Sequence, residues 1–170
     1  MTDITTNIWP IGFDLFRDKS SFNATFIQSD VLDDSSEVMR KLGHSCDVVF
    51  LGLLLHLFSY DLQLEASKNI VNLTKGKGSI VAGKNGGWDK AGTEERKLNI
   101  QNEGKNDQPT RFRHDKQSFT KMWEEVSHAT GTKWDVHIDI VPDTLQWRRP
   151  EDGPQLHQNE WLYFTMTRIS

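Results

Sequence analysis

Asp47-Val48-Val49-Phe50-Leu51 decides the reading of this chain. Four apolar residues follow one acidic residue without polar alternation, so neither face of the strand they form is prepared for water. A strand of that kind belongs to a parallel sheet with helices on both faces, and it is expected to be buried on both. Just beyond it, Gly52-Leu53-Leu54-Leu55-His56-Leu57-Phe58 places a histidine in an apolar turn. In open α/β sheets the carboxyl ends of the strands are where ligands bind.

The elements downstream follow from spacing. Asp61 is placed to cap a helix running to about Thr74, with Leu62, Ala66, Ile70 and Leu73 on one face. Gly76 and Gly78 end it, and Ser79-Ile80-Val81-Ala82 is the next buried strand. Gly83-Lys84-Asn85-Gly86-Gly87 reads as a flexible turn. Trp88 to Pro109 is rich in Gly, Asn, Lys and Glu without apolar period, and reads as a long surface loop. Asp115 caps a helix in which Phe119, Met122, Trp123 and Val126 stand at i, i+3, i+4 and i+7, and Gly131 stops it. Trp134, Val136, Ile138 and Ile140 alternate with polar residues, which marks a half-buried strand. Val141 to Gln158 reads as a second loop and includes the basic bump Trp147-Arg148-Arg149. Trp161 to Ile169 is the last strand. No helix separates the last two strands, so they are expected to pair as an antiparallel hairpin.

Upstream, Ser35 to Leu42 reads as a helix with Asp34 or Ser35 as its cap and Gly43 after its end. Ala24-Thr25-Phe26-Ile27-Gln28 reads as a strand ending at Ser29-Asp30. A short helix from about Trp9 to Arg17 accepts Pro10 in its first turn. Asp3 and Ile4 read as the tail of an earlier strand. Strands alternating with helices give an α/β fold, a mostly parallel sheet with a C-terminal antiparallel hairpin, in one domain over residues 1–170.

Composition excludes several classes. The chain has 170 residues, enough for one real core. Six Trp and nine Phe are too many for a disordered chain. A net charge of −4 without a basic stripe argues against nucleic acid as a partner. The single cysteine, Cys46, permits no internal disulfide and fits a cytoplasmic, reducing home. It opens an apolar run, so it reads as core rather than nucleophile. The longest apolar stretch, Val48 to Phe58, is shorter than the roughly 20 residues a membrane helix needs, and no targeting segment is recognised. The histidines are scattered with no His-x-x-x-His pair, so no metal site is expected.

The order of elements, together with certain segments, resembles the class I S-adenosylmethionine-dependent methyltransferases. More narrowly, it is similar to the fungal enzymes of polyketide and meroterpenoid biosynthesis. The segments are Gly12-Phe13-Asp14-Leu15-Phe16-Arg17-Asp18, Phe26-Ile27-Gln28-Ser29-Asp30-Val31-Leu32-Asp33 and Leu55-His56-Leu57-Phe58. Phe112-Arg113-His114-Asp115 with Ser118-Phe119, and Met122-Trp123-Glu124-Glu125-Val126 followed by Thr130-Gly131-Thr132-Lys133-Trp134, complete the set. The resemblance implies a Rossmann-like sheet and S-adenosyl-L-methionine as cofactor. It implies that Asp3 holds the ribose hydroxyls, that Asp30 meets the adenine amino group and that Val31 offers its backbone N–H to the ring. It also puts His56 beside the substrate, a polyketide-derived acid or phenol, where it orients or deprotonates the acceptor. On the residues alone, Asp3 and Asp30 also suit helix capping, and His56 also suits a satisfied histidine at a turn. Arg111, Arg113 and His114 suit either a substrate carboxylate or a solvated loop end.

The resemblance also implies a first strand and a glycine-rich turn that have no counterpart among these residues, so the sheet is expected to be N-terminally truncated. In the family that strand lies between the second and the fourth. Its absence is expected to leave Asp47–Leu51 with an unpaired apolar edge, which favours a homo-oligomer. Two functions stay open: O-methylation in fungal secondary metabolism, or a non-methylating isomerase, cyclase or inactive subunit on the same scaffold.

Overall fold

The computed structural model describes residues 1–5, 7–95, 110–144 and 157–170. Along the chain run β1 (Thr2–Asp3), α1 (Ile8–Phe16), β2 (Ile27–Gln28), α2 (Glu37–Leu42), β3 (Val48–Gly52), a single 3₁₀ turn (Leu55–Leu57) and α3 (Tyr60–Leu73). Then follow β4 (Ile80–Trp88), β5 (Gly92–Glu95), β6 (Thr110–Arg113), α4 (Lys116–Thr130), β7 (Trp134–Pro142) and β8 (Asn159–Arg168). The strands form a four-stranded sheet in the order β3-β4-β8-β7 and two pairs, β1-β2 and β5-β6. Pairing is parallel in β1-β2 and β3-β4 and antiparallel elsewhere. The expected hairpin between the last two strands is present, from Trp134↔Arg168 to Pro142↔Glu160.

The core lies where α3 and α4 cover one face of the large sheet. Leu51, Val81, Ile138, Leu162, Phe164 and Met166 from the strands meet Ala66, Ile70 and Val71 of α3 and Phe119, Met122, Trp123 and Val126 of α4. The four α4 residues are fully buried, as their spacing predicts. Asp115 closes a capping box with Ser118. Its Oδ1 accepts the Ser118 N–H at 2.7 Å, and its own N–H donates to Ser118 Oγ at 3.1 Å. Gly131 ends α4 at φ +65°, a conformation that favours glycine.

Several expectations are corrected. β3 is not buried on both faces. Leu51 is buried, but Val48 is 60% and Phe50 72% exposed, because the helices cover only the Leu51 side. The Ala24–Gln28 strand shrinks to Ile27–Gln28. Phe26 instead turns its ring to Trp9 and Phe13 of α1, at 4.3 and 5.5 Å between centroids. The cap of α2 is Ser36 rather than Asp34 or Ser35, and its side chain makes no capping bond.

Gly83–Gly87 is no flexible turn. It is the middle of β4, paired residue by residue with Trp161–Phe164 and Glu160 of β8. The glycines are there because neighbours come close. A Cβ at Gly83 would fall 2.2 Å from Leu51 O, and one at Gly87 would fall 2.1 Å from Leu162 Cδ1 and 2.3 Å from His114 O. The expected loop from Trp88 to Pro109 contains β5, which pairs with β6, and the rest of it, 96–109, lies outside the described residues. So does most of the second expected loop, including Trp147-Arg148-Arg149.

Candidate functional site

β3 ends at Gly52, and the chain turns sharply. Leu53 stands at φ +58°, a left-handed conformation that costs a branched side chain about 1–2 kcal/mol. Its N–H donates to Lys84 O at 2.9 Å, which ties the turn to β4. Strain of this kind concentrates at functional turns. Leu55, 1% exposed, anchors the 3₁₀ turn in the core and presents His56 beside Asn85 of β4.

Asn85 Oδ1 serves two atoms of His56. The His56 backbone N–H donates to it at 2.9 Å, and the ring Nδ1 lies 2.9 Å from it. A backbone N–H only donates, so the atom facing it is the carboxamide oxygen, and an oxygen of that kind only accepts. The carboxamide oxygen favours a proton on Nδ1, while the Gly86 N–H donates to the same Nδ1 at 3.4 Å, so this ring nitrogen is held between an acceptor and a donor. Asn85 Nδ2 is buried without a hydrogen-bond partner among the described residues.

The end of β6 arrives from across the turn. Phe112 N–H donates to Phe58 O at 2.9 Å. The buried Gln63 of α3 donates through Nε2 to Phe58 O at 3.1 Å and to Phe112 O at 2.8 Å, which clamps β6 to the turn. Arg113 lies over β4: a Cβ on Gly86 would fall 2.7 Å from Arg113 Nη1 and 3.5 Å from His56 Cδ2. A guanidinium and an imidazole thus share the space that glycine leaves. Arg113 Nε also donates to Glu94 Oε2 of β5 at 2.8 Å. Burial pushes the His56 pKa below the usual histidine value. The Asn85 hydrogen bond raises it, the positive charges of Arg113 and Arg111 lower it further, and Glu94 raises it. The net direction is down, so a neutral imidazole faces two guanidinium groups.

The carboxylates expected to hold a nucleoside sit at the other parallel pair. β1 pairs with β2 through Thr2↔Ile27 and Asp3↔Gln28, and Ser29 N–H donates to Asp3 O at 2.9 Å. Asp3 and Asp30 therefore both stand at the carboxyl end of this pair. Each uses one oxygen locally: Asp3 Oδ1 accepts Thr5 N–H at 3.1 Å, and Asp30 Oδ1 accepts Leu32 N–H at 3.0 Å. Among the described residues no protein group takes the second oxygen of either carboxylate, or the Val31 N–H. Val31 O is held by Asn69 Nδ2 of α3 at 2.9 Å, so this loop is fixed to the main core.

The structure brings His56, Arg111 and Arg113 together and places Asp3, Asp30 and Val31 in a second group. His114 belongs to neither. It is fully buried among Tyr60, Phe112 and Phe119, with Nδ1 2.9 Å from Ser118 Oγ, and it packs the core. Asn85 and Gly86 join this site against expectation, because a glycine-rich run has the composition of a turn. The sequence signal for them is an asparagine held among glycines directly after a buried strand. Cys46 is half-buried, with Sγ 3.9 Å from Leu42 O. Among the described residues no three His, Cys, Asp or Glu side chains group as metal ligands.

No family model matches the chain. Among curated proteins it is 34% identical over 172 residues to the O-methyltransferase phiE of Fungal sp. (strain ATCC 74256), a match covering 98% of this chain and 55% of that protein. It is 34% identical over 139 residues to the O-methyltransferase atr3 of Stereocaulon alpinum, covering 81% of this chain and 38% of that one. It is 30% identical over 153 residues to the methyltransferase adrK of Penicillium roqueforti, covering 89% and 52%. The chain spans about half the length of the curated relatives it matches. Among solved structures, a SAM-dependent methyltransferase from Methanosarcina mazei matches with a TM-score of 0.60 and 7% identity, over 99% of this chain and 81% of that one. DhpI, in its complex with SAH, matches with a TM-score of 0.55 and 12% identity, over 99% and 64%. The chain is similar along its length to fungal methyltransferases, and it has the Rossmann-like α/β fold of SAM-dependent methyltransferases.

Proposed function

We propose that this chain carries the adenosine-side and acceptor-side residues of an S-adenosylmethionine-dependent O-methyltransferase of fungal secondary metabolism. The observation that carries the reading is the pairing of two residue groups at the carboxyl ends of parallel strands. At one pair Asp3 and Asp30 each keep one carboxylate oxygen, and Val31 its N–H, without a protein partner among the described residues, and His56 and Arg113 meet at the other. The similarity to phiE over 98% of the chain supports it.

The donor set suits the cofactor's adenosine part. A carboxylate with a spare oxygen accepts the hydrogens of ribose hydroxyls, the role assigned to Asp3, or of an adenine amino group, the role assigned to Asp30. The Val31 N–H donates to a ring nitrogen. Bound, the cofactor supplies an electrophilic methyl group on a sulfonium. His56 stands at the acceptor and orients it or takes its proton, and the turn that carries His56 is held by β4 and β6. Catalysis is mostly positioning. The acceptor is a polyketide-derived small molecule, an acid or a phenol. The protein works in the cytoplasm; among the described residues no helix is long and apolar enough to cross a membrane.

Titration calorimetry of the 170-residue protein with S-adenosylmethionine tests the reading. Micromolar binding that weakens at least tenfold in Asp30→Asn is expected. A folded, monodisperse protein that gives no heat sinks it.

One observation bears on assembly: β3 is an edge strand of the four-stranded sheet, with Val48 and Phe50 exposed. An edge of that kind pairs readily with another chain, so a homo-oligomer is expected. Light scattering that finds a stable monomer counts against it.

A further inference from the structure

Asn69 lies inside α3 and is 9% exposed. Asparagine is a poor helix former and its carboxamide is costly to bury, so its place there calls for a use of its polar atoms. Its Nδ2 donates to Val31 O at 2.9 Å, across 38 positions of sequence. A carbonyl oxygen only accepts, so the atom facing it is the amide nitrogen. That carbonyl belongs to the Val31–Leu32 peptide, whose N–H donates to Asp30 Oδ1 at 3.0 Å. One peptide unit is thus held at both ends, its oxygen by Asn69 and its hydrogen by the Asp30 carboxylate. Among the described residues, the other hydrogen bonds of 29–33 go to β1, to the loop itself or to Ser35 and Ser36 just after it. Asn69 is the polar tie between this loop and the main core.

We infer that Asn69 is a positioning residue for the adenine of the cofactor: acting through the Val31–Leu32 peptide, it fixes the direction in which the Asp30 carboxylate and the Val31 N–H are presented. The inference rests on the methyltransferase reading for its ligand. The chain of contacts is short. A peptide is planar, so the direction of its N–H follows from the direction of its C=O. Asn69 sets the C=O, the N–H then orients Asp30 through Oδ1, and the second carboxylate oxygen is left for an exocyclic amino group. A carbonyl that accepts a hydrogen bond also makes its peptide N–H a stronger donor, which tightens the hold on Asp30. The Val31 N–H belongs to the peptide before, joined to the fixed one at the Val31 Cα. Asn69 itself touches no ligand atom in this arrangement. Adenine presents an amino hydrogen beside an accepting ring nitrogen, the complement of an oxygen beside an N–H. Its oxo counterpart, hypoxanthine, presents an oxygen beside a ring N–H and sets like against like at both groups. Discrimination between these two bases is what the positioning controls.

The experiment is calorimetric titration of the 170-residue protein with adenosine and with inosine, in wild type, Asn69→Ala and Asn69→Asp. At about pH 8 the aspartate is ionised; it keeps the shape of asparagine but has no hydrogen to give. Wild type is expected to bind adenosine about tenfold more tightly than inosine, or better. In both variants that ratio is expected to fall to about threefold or less, chiefly through weaker adenosine binding. An asparagine that merely supports the fold would lower the melting temperature and weaken both nucleosides alike, so an unchanged ratio in a folded variant overturns the inference. Asn69→Ala keeps the test falsifiable should the buried acid prevent folding. Amide exchange of the ligand-free protein reads the same tie: the Leu32 N–H is expected to exchange faster in Asn69→Ala while the amides of β4 keep their rates, and unchanged Leu32 exchange overturns the inference as well. Wild type that binds neither nucleoside removes the methyltransferase reading and this role with it. Wild type that selects adenosine, beside variants that select it equally well, removes this role alone.

Discussion

The two groups of candidate residues rest on very different supports. His56 and Asn85 stand where a four-stranded sheet meets a core of fully buried side chains, and every strand of that turn is tied by hydrogen bonds to another element. Asp3 and Asp30 stand on a pair of two-residue strands. The helix beside them, α1, has no buried residue and leaves Ile11, Leu15 and Phe16 66–73% exposed. The His56 turn is therefore built to hold its geometry, while the region of Asp3 and Asp30 holds by a few ring contacts and by the Asn69–Val31 bond. Local opening follows such differences in burial. The two regions are expected to differ in stability, and substitutions can widen or narrow that gap.

The widest separation comes from the core. Phe119→Ala removes a ring that is 0% exposed and touches both His114 and Phe164, and it is expected to cost about 3–5 kcal/mol. Phe16→Ala in α1 removes a ring that is 73% exposed and is expected to stay within about 0.5 kcal/mol. Urea unfolding of both variants checks the pair. Equal losses would mean that α1 belongs to the same cooperative unit as the sheet.

Acid separates the two regions next. Burial of His114 among aromatic rings lowers its pKa to about 4, with the Asp115 charge only partly opposing that. A histidine with a depressed folded pKa binds fewer protons folded than unfolded. Its contribution is therefore complete above the ordinary value of 6.5 and is lost as pH falls from there toward about 4. The loss approaches ~3 kcal/mol as an upper bound from the linkage relation. Asp115 falls in the same direction: burial pushes its pKa up, but bonds from the Ser118 and Ala91 N–H groups outweigh that and hold it low, so its contribution is lost only at still lower pH. Unfolding measured across pH 4–7 is expected to lose this slope in His114→Phe.

Within β4 the glycines divide the two roles of that strand. Gly87→Ala forces a Cβ against the His114 carbonyl and Leu162, backbone and core that cannot move aside, and is expected to cost about 1–3 kcal/mol. Gly86→Ala meets the far end of Arg113 instead. It is expected to displace the guanidinium, raise the His56 pKa and leave stability nearly unchanged. Histidine titration by NMR beside thermal melting checks both. A Gly86→Ala protein that unfolds as readily as Gly87→Ala would show that Arg113 is fixed as rigidly as backbone.

These contrasts show what the sequence makes legible. Periodicity places α4 to the residue, because Phe119, Met122, Trp123 and Val126 satisfy one face and Asp115 and Gly131 punctuate it. It also places the hairpin β7–β8, whose alternation can only be a one-sided strand. It misplaces β4, because Gly83–Gly87 carries the chemistry of a turn, and only the approach of Leu51, Leu162 and His114 explains why glycine is needed in a strand. It overstates the burial of β3, because an apolar run reports what a strand tolerates on each face and not what covers it. For the site, His56 stands out as a polar residue in an apolar turn, but its partner is 29 positions away, at Asn85. That contact is written in neither residue alone.

The smallest effect tests the weaker region by strengthening it. Gly12 lies inside α1, where a Cβ meets nothing within 4 Å and the backbone is helical. Alanine there fits the folded state and restricts the unfolded one, so Gly12→Ala is expected to stabilise α1 by about 0.5–1 kcal/mol. If the region of Asp3 and Asp30 opens separately, that gain is confined to it. Hydrogen exchange would slow at α1 and at the β1–β2 pair and stay constant at β3, β4 and β8. Slowing across the whole sheet would show instead that the two halves open together, and that the short strands holding Asp3 and Asp30 are as firmly part of the fold as the turn that holds His56.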